Sequence, residues 1–267
     1  MGEEVMNDVF QQLSTWSRGC NIPLHAPLYA CPPWFYYDMF TIMALVSLEP
    51  TSIEPLLPEG VEPVIDGDGC SPGLFWMSYN PHTSFGPFSE ALIAVQVGLK
   101  DRQEYMYYIP YAYVDGSDSS LASGREVLGL PKKFARIEIT EEGRVCQGFV
   151  KRGDLILNLN VSKERPADES LIRSLLSPKT SILGLRVLPP IAGKGVAQLV
   201  KWYIKPALPR LEGGMLKVWG GPALVRTGLT AEDPVGLLKI RKVIRGFCGL
   251  VNIELGIEGV VREWRIS

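Results

Sequence analysis

The chain has 267 residues, 46% of them hydrophobic, and a formal net charge of −2 at pH 7. That length and composition suffice to bury a large core, and the near-neutral balance supplies no basic footprint for nucleic acid. No apolar run reaches the roughly 18 residues that a membrane span needs.

The start, Met1 to Asp8, is acidic and lacks the basic end and apolar stretch of a signal peptide. Met6 stands where a myristoylation signal wants Ser or Thr. Residues 3–18 place Val5, Met6, Val9, Phe10 and Leu13 at helical spacing and predict a short helix. The segment from Asn21 to Pro33 carries four prolines and reads as an ordered connection. Trp34 to Val46 is aromatic and β-branched, the composition of a buried strand. Glu49 to Gly60 is a short helix or turn closed by proline, and Asp66-Gly67-Asp68-Gly69 is a turn without the remaining ligands of a calcium loop.

Leu74 to Tyr79 predicts a strand, and Ser84 to Ser89 a turn leading into a further strand, Glu90 to Val97. Glu90 heads that apolar strand, either as a strand-end surface residue or as an interior acid whose pKa burial raises. Tyr105 to Val114 is a strand, Asp115 to Ser120 a turn, and Leu121 to Leu128 a short helix. Pro131 then rigidifies the approach to Lys132 and Lys133. Phe134 to Ile139 alternates as a strand does, so neighbouring side chains face opposite ways and the two lysines cannot share one site. Taken alone, the pair reads as a solvated strand edge. If one lysine points inward, desolvation favours its neutral form, a nucleophile toward ketones.

Beyond it, Glu141-Glu142-Gly143 and Lys151-Arg152-Gly153-Asp154 are hairpin signals. Ser162 to Ser177 predicts a loop with a short helix, and Leu183 to Pro190 and Val196 to Ile204 predict strands. Leu216 to Val225 is a further strand, Val235 to Ile240 a connection, and Val243 to Leu255 a last strand pair. Gly193-Lys194-Gly195 is too short for a phosphate loop and lacks Ser or Thr after the lysine. Many short strands with few helices predict a mainly β, largely antiparallel architecture closed enough to hide its edges, in one domain over residues 1–267.

Five cysteines (Cys20, Cys31, Cys70, Cys146, Cys248), odd in number and without a Cys-x-x-Cys spacing, predict free thiols in a reducing compartment. Two histidines, His25 and His82, give no basis for a histidine-rich metal centre. These features predict a cytoplasmic protein with no metal and no nucleic-acid or membrane partner.

The stretch Gly124-Arg125-Glu126, a short spacer, then Pro131-Lys132-Lys133 resembles the signature of the acetoacetate decarboxylase family, and the likeness extends over most of the chain. Leu216 to Val225 adds a Trp-x-Gly-Pro-like element at Trp219-Gly220-Gly221-Pro222. The resemblance implies an antiparallel β-barrel or cone with short peripheral helices. It implies that Lys132 forms a Schiff base and that Glu90, facing it, shuttles a proton or positions the reacting carbon. Lys133, Arg125 and Glu126 then support the site, and Trp76, Phe88, Leu92, Tyr111 and Leu130 line it. No cofactor is implied, the partner is a small keto acid or ketone, and the assembly is a homo-oligomer.

The sequence departs from the family in three ways. Trp34 to Val46 has no arginine to meet a substrate carboxylate, Leu74 to Tyr79 has no second acid, and Leu130 stands where the family has tyrosine. Arg125, Arg186 and Arg226 are candidates for the missing cation. The expectation is a decarboxylase for a β-keto acid larger and more apolar than acetoacetate. The alternatives are an aldolase, dehydratase or cyclase using the same lysine, or a noncatalytic barrel binding a small molecule.

Overall fold

The strand that begins at Trp34 pairs on both edges, and the molecule closes around it. The computed structural model describes residues 21–23, 26–100, 104–176, 181–189, 193–212 and 214–266, so the helix expected over residues 3–18 lies outside the described residues. In its first half the chain forms β1 (Trp34–Leu48), β2 (Val61–Pro63), β3 (Ser71–Asn80), β4 (His82–Thr83), β5 (Phe88–Leu99) and β6 (Tyr105–Asp115). Next come β7 (Lys132–Phe134), β8 (Arg136–Glu142), β9 (Val145–Arg152), β10 (Asp154–Ser162) and β11 (Arg165–Pro166). The last are β12 (Ile182–Leu188), β13 (Gly195–Ala207), β14 (Val218–Gly221), β15 (Ala223–Thr227) and β16 (Ile240–Ile266). Three α-helices are described, α1 (Pro50–Ile53), α2 (Asp118–Glu126) and α3 (Glu169–Leu176).

The larger sheet runs β16-β13-β12-β6-β5-β3-β1, and the further pairing of β1 with β16 closes these strands into a ring. The pairs are antiparallel except for β6 with β12 and β6 with β7. A second antiparallel sheet, β15-β10-β9-β8, covers the outside of the ring. Alternation decides which residue goes where. Met43, Trp76, Ala112 and Phe247 face the ring interior, whereas Ile42, Phe75, Met77 and Ile93 face out and pack with Ile137, Val150 and Leu159 of the outer sheet. The mainly β architecture with short peripheral helices is as expected.

Several boundaries differ from the sequence reading. Helix α2 starts three residues earlier than Leu121, because Ser117 caps it by accepting the Ser120 N–H at 3.1 Å. The stretch Leu216 to Val225 divides after Gly221: β14 pairs with β16 in the ring and β15 pairs with β10 in the outer sheet. The expected last strand pair is one 27-residue strand, whose first part pairs with β1 and whose second part pairs with β13. Where its first part also pairs with β14, Gly249 takes φ 149°, and a Cβ there would lie 2.0 Å from the Lys217 carbonyl oxygen.

One cysteine expectation is corrected. Cys31 is disulfide-bonded, while Cys70, Cys146 and Cys248 are free. Pairing follows how closely two Cα atoms approach in the fold, which neither an odd count nor the absence of a short spacing reveals. With it goes the argument from cysteines for a reducing compartment. No helix among the described residues is long and apolar enough to cross a membrane.

Candidate active site

Strand β7 lies parallel to β6, with Ala112 opposite Lys132 and Tyr113 opposite Lys133. Since Ala112 faces the interior and Tyr113 the outer layer, Lys132 enters the ring and Lys133 leaves it. The short strand is held by its approach. Leu130 N–H donates to Gly124 O at 2.8 Å, Leu185 N–H to Gly129 O at 3.0 Å, and Arg125 Nη1 to Lys132 O at 3.0 Å. Gly129 takes φ 68°, the left-handed region that glycine tolerates. Gly124 has a separate reason to be glycine: a Cβ there would stand 2.6 Å from Lys132 Cδ and 2.8 Å from Cε. Within the Gly124-Arg125-Glu126 signature, Gly124 is thus the bed on which the lysine stem lies and Arg125 holds its carbonyl.

The Lys132 side chain is 3% exposed, and Nζ stands 2.9 Å from Glu90 Oε2 and donates to Ser120 Oγ at 2.8 Å. The Phe88 ring centroid is 5.6 Å from the amine, within cation–π range. Glu90 is therefore the interior acid, brought to the amine by β5. Burial first, and the charge of Glu90 second, push the Tyr36 phenol well above its ordinary value, so it remains a neutral donor beside the pair.

The amine opens onto a cavity inside the ring. Trp76, Leu92 and Leu130 are among the residues that line it, as are Leu175 and Leu176 from α3, whereas Phe88, placed in the lining from sequence, is not. Among the described residues its charged lining is Lys132 and Glu90, with no arginine. Arg125 is spent on the Lys132 carbonyl, and Arg226 lies exposed on β15. Arg186, on β12, lies near Tyr29, whose hydroxyl donates to Glu126 at 2.6 Å. Glu126 thereby ties α2 to the segment before β1.

The expected lining by Tyr111 is corrected. Between the pairs Ile93–Tyr111 and Val95–Tyr108, two residues of β6, Ile109 and Pro110, stand against Ala94 alone. This bulge flips the alternation, so Tyr107 and Ile109 face in before it, Ala112 and Val114 face in after it, and Tyr111 faces out. Tyr111 packs in the outer layer, its hydroxyl 3.4 Å from Pro234 O. Lys133 lies on that side too, its Nζ 2.8 Å from Asp233 Oδ1.

Ser120, Tyr36, Tyr107 and Trp202 are site residues that the sequence reading missed. A signal existed for Ser120, since Ser117 and Ser120 have the spacing of an N-terminal cap that turns Ser120 toward Lys132. Nothing local marks the others, whose place depends on closure of the ring.

The chain is similar to known proteins in sequence and in fold. The profile of the acetoacetate decarboxylase family matches residues 21–263. Acetoacetate decarboxylase 3 of Mesorhizobium japonicum is 24% identical over 254 residues, which cover 92% of each chain. The crystal structure of acetoacetate decarboxylase from Legionella pneumophila superposes with a TM-score of 0.78 at 23% identity, over 93% of this chain and 95% of that one. The enduracididine biosynthesis enzyme MppR, solved with the condensation product of pyruvate and imidazole 4-carboxaldehyde, superposes with a TM-score of 0.69 at 19% identity, over 93% and 96%.

Proposed function

The chain belongs to the acetoacetate decarboxylase family, and on that premise we propose that it works through a Schiff base on Lys132 and decarboxylates a β-keto acid larger and more apolar than acetoacetate. The observation that carries this reading is the enclosed Lys132 Nζ–Glu90 Oε2 contact of 2.9 Å at the wall of an otherwise apolar cavity. A buried ion pair costs stability that well-packed apolar residues would not, and such a cost marks a site rather than a scaffold.

A proton that passes from Nζ to the Glu90 carboxylate leaves the amine free to attack the substrate ketone, and loss of water gives the protonated iminium. The bond from the adjacent carbon to the carboxylate then breaks. Carbon dioxide leaves, and the electron pair moves toward nitrogen to give the enamine. The proton taken from Nζ leaves with the departing water, so Glu90 takes a second proton from solvent and delivers it to that carbon, and water hydrolyses the resulting iminium to release the ketone and the Lys132 ammonium. Lysine activated in a desolvated or cationic setting is the known device of acetoacetate decarboxylase itself. The apolar walls favour a substrate held by burial, at about 25 cal/mol per Å².

Borohydride trapping tests the reading. Reduction in the presence of a β-diketone or a methyl ketone should modify Lys132, and Lys132→Ala should abolish trapping. Modification confined to Lys133, or none with any ketone, removes the Schiff-base reading. Condensation of a ketone with an aldehyde, without carbon dioxide release from any keto acid, replaces decarboxylation with aldol chemistry on the same lysine.

A further inference from the structure

The cavity has a second polar feature, far from the amine. Ile182 on β12 is paired with Tyr107 on β6 and with Trp202 on β13, so the three form one row across the ring wall. All three line the cavity. On β6, Tyr107 lies five residues from Ala112, the partner of Lys132. At 3.3 Å per residue that is roughly 16 Å along the strand. The lysine side chain reaches the opposite way, toward Glu90, whose partner on β6 is Val114. The amine and the row thus mark two separated ends of the cavity lining. Leu74, Ala94 and Ile109 form part of the apolar wall between them.

The row carries donors with nothing to give to. Trp202 is 1% exposed, and its indole Nε1–H meets no acceptor among the described residues. Tyr107 is 7% exposed, its hydroxyl makes no hydrogen bond among the described residues, and burial raises its pKa, so it is a neutral donor. Buried donors are ordinarily bonded, and a purely apolar side chain at either position would fill the wall without the unmet group. Neither donor carries charge, and the cavity's one lysine is already paired with Glu90. An ionised tail buried here would have no counter-charge. An uncharged oxygen would satisfy both donors at little desolvation cost.

We infer that the substrate is an elongated ketone or keto acid whose tail bears an uncharged acceptor (a carbonyl, hydroxyl or ether oxygen) received by Trp202 Nε1–H and the Tyr107 hydroxyl. This rests on the Schiff-base reading for the carbonyl end, and the tail end is read by a separate measurement. The probes are a long-chain methyl ketone and analogues in which an ether oxygen replaces successive methylenes along the tail. Each is measured twice, by calorimetric binding to the unreduced protein and by borohydride trapping. One oxygen position should bind about tenfold more tightly than the all-carbon ketone, the worth of a good hydrogen bond. In Trp202→Phe that ratio should fall to about one, and in Tyr107→Phe it should fall part of the way. Tyr107→Phe also serves as the deciding variant if Trp202→Phe does not fold.

Wild-type binding that ignores the oxygen's position, or a position preference that survives in Trp202→Phe, overturns the inference. Position-dependent binding with no trapping leaves the inference standing and removes the Schiff base. Trapping without position dependence does the reverse. Absence of both removes the two together.

Discussion

Lys132 and Lys133 are neighbours in the chain, yet their amines lie on opposite sides of the ring wall, one 2.9 Å from Glu90 and the other 2.8 Å from Asp233. The outer pair belongs to a cluster. Asp233 is 2% exposed and also accepts from Arg152 Nε at 3.0 Å and from the Tyr113 hydroxyl at 3.2 Å. Burial by itself would push the Asp233 carboxyl up, but the bonds from Lys133 and Arg152 outweigh it and hold the group below its ordinary value.

A carboxyl depressed in the folded state contributes stability above its unfolded pKa of about 3.9 and loses it as the pH falls through the folded value. Asp233→Asn should therefore melt at least about 5 °C below wild type at neutral pH. The gap should close as the pH falls below about 4. Thermal melts from pH 7 to pH 3 check this, and parallel curves would show that the charge of Asp233 does not matter. Trapping at Lys132 should persist in the variant, since the cluster lies outside the cavity.

Glu90→Gln separates adduct formation from turnover. Proton transfer by a positioned carboxyl contributes about 10²–10⁴-fold, so turnover should fall by that factor while borohydride still modifies Lys132. Equal loss of both would make Glu90 a support of the pocket, and unchanged turnover would remove it from the reaction.

Gly124→Ala tests the bed of the lysine. The new methyl meets the lysine stem at 2.6 Å, and the side chain is the part able to move. The variant should fold with a Tm close to wild type and lose about 100-fold in trapping rate, the scale of an ångström's misplacement. A wild-type trapping rate would mean that the lysine stem has room the packing does not suggest.

Acetoacetate should be a poor substrate. Its carboxylate would find no arginine among the cavity-lining residues to give a bidentate, charge-assisted contact. Carbon dioxide release from acetoacetate and from a β-keto acid with a long substituent decides the matter. Preference for the longer acid is expected, and efficient turnover of acetoacetate would show that burial alone holds a small carboxylate here.

Local pattern determined a good part of this protein by itself. Alternation after Pro131 separates the two lysines because successive strand residues must face opposite ways, and the same rule carries Trp76 and Glu90 inward from β3 and β5. The lack of arginine from Trp34 to Val46 is equally plain in the sequence and leaves the cavity short of a cation. Tertiary structure alone decided the rest. A bulge exists only where two strands fail to match residue for residue, so the reversal that sends Tyr111 out and Tyr107 in cannot be read from β6 by itself. Likewise the bonding of Cys31, the single long strand β16 and the row from Tyr107 to Trp202 arise where distant segments meet. Periodicity is a property of one segment, whereas a site enclosed by a ring depends on how all its strands close.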